Sequence, residues 1–168
     1  MASTETAEQY AARFASYVEG RDPLAMQRKA PQTIATLISG VPAQQLKTRP
    51  APERWSVVEI IAHMAEDELS SSWRYRQMIE HNGAPLLGFD QDLWAKLGDY
   101  QSWQPQEALS MYRLLREANL RLLEKLTPEQ WESAGVHAER GPLTVRQLAR
   151  HMAAHDINHI KQIERLLK

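Results

Sequence analysis

Two capping boxes constrain this chain more than any other feature of its sequence. Ser56-Val57-Val58-Glu59 and Thr144-Val145-Arg146-Gln147 each set a hydroxyl to accept from an early backbone N–H, while the fourth residue reaches back to the cap. Each opens a long helix. The first runs to about residue 80, where His81-Asn82-Gly83 closes it, and the second runs to the C-terminus. Asp22-Pro23 starts another, with proline at the first helical position, where its missing N–H costs nothing. Leu24, Ile34, Leu37 and Ile38 are its apolar positions, and Gly40 and Pro42 end it. A further long helix is predicted over 105–126 and a short one over 7–19, stopped by Gly20.

Between these helices lie Pro50 and Pro52, which mark an extended link, a short turn or helix at Thr127-Pro128, and a loop over 135–141. The stretch 83–104 contains Pro85, Gly88 and Gly98, with one helical turn expected near 92–97. No alternating strand pattern exceeds a few residues, and there is no repeat or low-complexity segment. The expectation is an all-α four-helix bundle, a single domain over 1–168 with residues 1–20 as an N-terminal extension helix. A connection of roughly 20 residues between the second and third long helices is long for an antiparallel hairpin. It suits a crossover that returns the chain to the other end, making those two helices parallel neighbours.

Composition enters mainly by exclusion. The 168 residues carry 20 basic and 21 acidic side chains, with no global positive field to attract nucleic acid or acidic lipid. Absence of cysteine removes disulfides, thiolate metal sites and a cysteine nucleophile. Residues 1–18 include Glu5, Glu8 and Arg13, unlike a signal peptide, and no apolar run approaches the ~18 residues of a membrane span. A cytoplasmic protein with no nucleic-acid or membrane partner is expected.

The last helix carries His151, His155 and His159 at spacings of four, so neighbours in this series lie ~40° apart around the axis and one turn apart along it. With His155 at zero, Leu148 and Leu166 fall near about +20°, Met152 near about +60°, and Val145 and Ile163 near about +80°. His159, at about +40°, lies inside this apolar stripe, His155 at its edge and His151, at about −40°, outside it. On the helix opened by Ser56, His63 borders the stripe of Ile60, Met64 and Met78, with Asp67 one turn later. Bundles build metal sites from such inward-facing side chains, and three nitrogens leave a position for water or substrate. A core-facing histidine is more commonly a packed, hydrogen-bonded side chain than a ligand. Spacing therefore leaves shared ligation and core packing both open.

At these residues a family resemblance emerges. The run from Trp55 and Ser56 to His63, together with His155-Asp156-Ile157-Asn158-His159, is similar to the DinB/YfiT-like superfamily of metalloenzymes. Phe89-Asp90-Gln91-Asp92-Leu93-Trp94 resembles its Phe-Asp-x-Asp-x-Trp segment, and His137 with Gly141-Pro142-Leu143-Thr144 resembles the loop before its last helix. The resemblance implies an up-down-down-up bundle, often dimeric. It also implies a divalent metal, often nickel or zinc, held by residues that map onto His63, His155 and His159. Activities in the wider superfamily include thiol S-transfer with low-molecular-weight thiols, hydrolysis and isomerisation.

Two carboxylates complete the expected site. Asp67 is a candidate further ligand or general base, against a solvated or Arg74-paired carboxylate. Asp156, at about +100°, points to the core and is either a hydrogen-bond partner that fixes an imidazole or a link between helices, for example to an indole N–H. Trp94 and Trp103 either roof the pocket or plug the core, with Tyr100 as a polar handle, and Arg113 and Arg116 are expected on a solvated face, against a role in recognising an anionic substrate. Glu66 and Glu68 are read as an exposed face and a structural contact. The expected function is a metal-dependent transferase or hydrolase acting on a small molecule, using zinc, nickel or manganese and, for thiol chemistry, an external thiol. The alternatives are a non-catalytic metal- or ligand-binding bundle and a structural homodimer whose histidines pack.

Overall fold

Eight α-helices and three short strands make up the chain in a computed structural model that describes residues 5–138 and 141–168. The first four residues of the expected N-terminal extension, and positions 139 and 140 of the expected 135–141 loop, lie outside the described residues. Helix α1 (Ala7–Val18) leads into α2 (Pro23–Ile38), the short α3 (Ala43–Lys47) and the long α4 (Val57–Glu80). Strand β1 (Ala84–Leu86), α5 (Gln91–Leu97) and a 3-10 turn (Tyr100–Ser102) form the long connection to α6 (Pro105–Leu123). After α7 (Pro128–Trp131), strands β2 (Ala134–His137) and β3 (Gly141–Thr144) precede α8 (Val145–Leu166).

The predicted caps operate as read. Ser56 Oγ accepts from the Glu59 N–H while Glu59 Oε2 accepts from the Ser56 N–H at 2.9 Å. The Arg49 guanidinium pairs with the same buried carboxylate. Thr144 and Gln147 form the equivalent box for α8, and Asp22 caps α2 with Pro23 at N1. Ends are less faithful, since α6 stops at Leu123 rather than near 126, and the Pro-rich link contains α3 before it.

Helix directions follow from which ends share a core. Ile34 and Ile38 of α2, Ile60 and Ile61 of α4, Ala108 and Tyr112 of α6, and Ile160 and Ile163 of α8 form one apolar cluster. Tyr75 and Met78 of α4, Leu123 of α6, and Val145, Leu148 and Met152 of α8 form a second, with Leu24 of α2 packed against it. The early part of α4 thus meets the early part of α6 and the late parts of α2 and α8. Helices α4 and α6 are parallel, α2 and α8 run opposite to them, and the order is up-down-down-up. Helix α1 lies against α8 through Phe14, Ala153 and Ala154.

A small three-stranded sheet, in the order β1-β2-β3, accompanies the helical bundle and takes up much of the stretch expected as loop over 135–141. β1 pairs parallel with β2, and β2 antiparallel with β3, tying the start of the crossover to the hairpin before α8. Strands of three or four residues are too short to show a period of two, and Pro85 and Pro142 suit only such small, edge-rich sheets. Gly135 is required by contact: a Cβ there would come within 2.6 Å of Leu86 Cγ.

One helical irregularity joins the polar interior. Pro31 lies inside α2, where it provides no N–H for the carbonyl of Gln27 four residues earlier. Arg116 Nη1 donates to that carbonyl at 3.1 Å instead. No described helix is long and apolar enough to cross a membrane.

Candidate metal centre

Antiparallel α4 and α8 face each other at the histidines. α4 carries His63 on its inner face and Asp67 a turn later, while α8 supplies His155 and His159. His155 Nε2 lies 3.2 Å from His63 Nε2 and 3.0 Å from His159 Nε2. All three residues are at least nine-tenths buried. The structure thereby brings together the three histidines that spacing alone left between ligation and packing. His151 falls outside the group, stacked on Phe14 of α1 with ring centroids 5.3 Å apart.

Burial holds all three imidazoles neutral. Desolvation, reinforced by the neighbouring His159, lowers the pKa of His63 to about 3. His155 is pushed well down, first by burial and then by the two other histidines. His159 falls to about 4 through burial, with the bond to Gln162 opposing the shift. That bond also selects a tautomer. Gln162 Oε1, 2.9 Å from His159 Nδ1, accepts its proton and leaves Nε2 as a lone pair aimed at the other rings.

This donor set fits a cation better than it fits itself. A proton on His155 Nε2 can point to only one of two neighbouring nitrogens, leaving lone pairs opposed. Nitrogens bound ~2.0–2.1 Å from one ion stand roughly 2.8–3.0 Å apart in octahedral and roughly 3.3–3.4 Å apart in tetrahedral geometry. The two spacings from His155 Nε2 fall within that span, and all three donor atoms lie within 4.8 Å of one another. His63 Nδ1 is buried with no hydrogen-bond partner among the described residues, and the Trp55 ring packs 4.9 Å from the His63 ring. Imidazole donors suit zinc, nickel and several other divalent transition metals.

Asp67 stands at the edge of this group, with Oδ2 3.4 Å from His155 Nε2. Asp156 points the other way. Its Oδ1 accepts from Tyr112 Oη at 2.7 Å and from Arg116 Nη2 at 2.9 Å, and its Oδ2 accepts from Arg116 Nη1 at 2.5 Å. It is a link between helices, made to a guanidinium and a phenol rather than an indole. Arg116 corrects the expected solvated face, being fully buried with Nη2 2.7 Å from Glu68 Oε1, while Arg113 is exposed as expected. Asn119 Nδ2 also donates to Glu68, at 2.9 Å, so Glu68 is the structural contact read from sequence. Burial raises the pKa of Asp156, against the pull of Arg116. One buried cation therefore clamps α4 to α8, through residues directly beside Asp67 and His155.

A cleft of about 560 Å³ opens over the histidines and includes Asp67, Arg74, His137, His151 and Asn158. Tyr10 and Phe89 also line it, so α1 and the crossover both wall the site. Neither Trp94 nor Trp103 lines this cleft. Trp94 stacks on Phe89 at 4.2 Å, and Trp103 packs against Tyr100 with its indole N–H on the Gly98 carbonyl. Tyr100 donates to Glu66, which is half-buried rather than exposed. The contributions of Trp55, Gln162 and Tyr10 were missed from sequence. Gln162 had a signal, since it sits three residues after His159 on the same helical face.

Fold and site together define the class, an up-down-down-up helical bundle whose two antiparallel helices bring together three inward histidines that could hold a metal ion. Within that class the chain belongs to the DinB superfamily, whose model matches residues 27–163. It is 26% identical over 139 residues, 82% of this chain and 80% of the relative, to a protein of Oceanobacillus iheyensis named as a putative metal-dependent hydrolase. YfiT of Bacillus subtilis, which bears the same description, is 21% identical over 141 residues, covering 82% of this chain and 79% of YfiT. The solved structure of YfiT superposes with a TM-score of 0.79 at 19% identity, covering 98% of this chain and 89% of that one. It is described as a probable metal-dependent hydrolase with an unusual four-helix bundle topology, and the likeness establishes the shared fold.

Proposed function

We propose that this protein is a metal-dependent enzyme acting on a small molecule by hydrolysis, with His63, His155 and His159 holding one divalent transition metal, zinc or nickel ahead of manganese. The observation that carries this reading is the gathering of three neutral imidazoles, with ligand atoms within 4.8 Å of one another, at the floor of an open cleft. When bound, such an ion polarises a substrate oxygen and acidifies a coordinated water. Asp67, with Oδ2 3.4 Å from His155 Nε2, is the carboxylate that would hold a proton at the site, and Gln162 holds His159 in its donor tautomer. Asp156 acts at one remove, as a positioning residue that fixes the height of α8. The relatives' description as metal-dependent hydrolases supports the same reading. Thiol S-transfer would use the same nitrogens with an external thiol, since the chain has no cysteine. The carboxylate beside the site favours hydrolysis over that reading. A cytoplasmic location accords with the absence of a membrane-crossing helix among the described residues.

The test is elemental analysis of untagged protein, with a panel of esters, amides and thiol-plus-electrophile pairs. Wild type should hold about one equivalent of metal and a His155→Ala/His159→Ala variant none. Asp67→Asn should keep the metal and lose on the order of a hundredfold in turnover. Wild type that refuses zinc, nickel and manganese on titration refutes the reading. Metal without turnover on any panel leaves a binding bundle.

A further inference from the structure

The polar cleft has an apolar neighbour. Leu69 and Trp73 of α4, with Leu87 and Trp94 of the crossover, line a groove of about 640 Å³. Trp73 is 66% exposed and Leu87 83%. Single exposed apolar residues are ordinary, but several gathered in one concavity mark a binding surface. Arg74, Leu86, Gly88 and Phe89 line the groove and the histidine cleft alike, so the two share a wall. That wall is well held: Arg74 Nη2 donates to the Leu87 carbonyl at 2.8 Å, its guanidinium lies 5.6 Å from the Phe89 ring, and Trp94 stacks on Phe89. At Gly88 the wall has no side chain, and a Cβ added there would meet nothing within 4 Å.

We propose that the substrate is amphiphilic, with a polar, scissile head over His63, His155 and His159 and an unbranched apolar chain that crosses the wall at Gly88 into the Leu69–Trp73–Leu87–Trp94 groove. The proposal rests on the metal-dependent reading above and adds the substrate's second half. The break in polarity is its basis: Asp67, His137, His151 and Asn158 face the head, and the side beyond Gly88 is mainly aromatic and aliphatic, with Ser70 and Gln77 as its polar additions. One molecule with two chemically distinct ends matches two adjoining cavities of distinct character. The shared wall favours this occupant over a second copy of the chain, which would cover the groove without any need for Gly88. Length also fits. From His63 to Ser70, which lines the groove, is seven residues of helix or roughly 10 Å, within reach of a chain of about eight carbons.

Straight-chain alkyl hydroxamates test this, because the hydroxamate head is a metal chelator and the chain can be lengthened. Binding to zinc-loaded protein is measured by calorimetry from acetohydroxamate upward. Acetohydroxamate should bind, and once the chain passes the wall, affinity should climb about fourfold per methylene until the groove is full. Trp73→Glu should flatten the climb by spoiling the groove and leave acetohydroxamate affinity unchanged, while Gly88→Leu should flatten the climb by blocking the crossing. Acetohydroxamate binding with affinity independent of chain length overturns the proposal while leaving the metal centre standing. Protein that retains no zinc and binds no hydroxamate removes the metal reading itself, and the proposal with it. A dimer that Trp73→Glu converts to monomer shows that a second copy occupies the groove, which also overturns the proposal.

Discussion

Replacing Arg116 with methionine should cost this protein more than any surface change, and the loss should depend on pH. The guanidinium gives two hydrogen bonds to Asp156, one to Glu68 and one to the Gln27 carbonyl, all fully buried. Methionine keeps most of the volume, so the loss reports charge rather than a cavity. Two buried carboxylates would then lack their cation, a change that typically destabilises by ~3–5 kcal/mol. For a chain of this size each kcal/mol lowers Tm by ~2–4 °C, giving a fall on the order of 10 °C. Burial already raises the pKa of Asp156 with Arg116 in place, and removing Arg116 raises it further. A carboxyl whose native pKa exceeds its unfolded one is best tolerated at low pH, and its stability is lost as pH rises through the native value. The deficit should therefore be largest near pH 7.5 and shrink towards pH 5. Urea unfolding followed by circular dichroism, in chelator to exclude metal linkage, measures both quantities. A triple variant Glu68→Gln/Arg116→Met/Asp156→Asn should recover much of the loss. A deficit under about 1 kcal/mol, or one equal at both pH values, refutes the account of the cluster as a charge clamp.

Other outcomes follow from the same structure. Zinc at about a thousandfold above its Kd should stabilise wild type by ~4 kcal/mol in thermal unfolding, and His155→Ala should abolish the increment. Gly135→Ala should destabilise by ~1–3 kcal/mol in the same assay, because its Cβ would meet the Leu86 side chain at 2.6 Å; no loss would mean that the sheet is slack. Glu59 is pushed up by burial, but Arg49 and Ser56 more than offset this and hold its pKa below the usual value. Its contribution, ~1 kcal/mol as a cap, is present above the ordinary carboxylate range and lost as pH falls through the depressed native pKa. The stability gap between wild type and Glu59→Gln should therefore close below about pH 4.

Legibility in the sequence followed the range of the interactions. The starts of α2, α4 and α8 were readable because Asp22, Ser56 and Thr144 bond to backbone two or three residues away. The inward faces of His63, His155 and His159 were readable from helical periodicity, but their meeting depends on topology, with the family resemblance supplying what spacing could not. The burial of Arg116 was illegible for the same reason. Its acids, Asp156 and Glu68, lie 40 and 48 residues away, and without them in view an arginine on a helix reads as solvated. The strands escaped because three or four residues carry no period, and Pro85 and Pro142 speak against pairing until the partner strand is known.

The separation of the ligands along the chain bears on when the centre can exist. His63 and His155 meet across 92 positions, and α8, which carries two of the three histidines, follows every other helix of the bundle. During synthesis α2, α4 and α6 emerge and collapse first, with α4 offering one lone imidazole and a half-exposed apolar face. Until α8 has been made, no intermediate holds all three nitrogens, so the proposed centre can assemble only once α8 joins the bundle. A chain truncated before α8 lacks His155 and His159, two of the three proposed ligands.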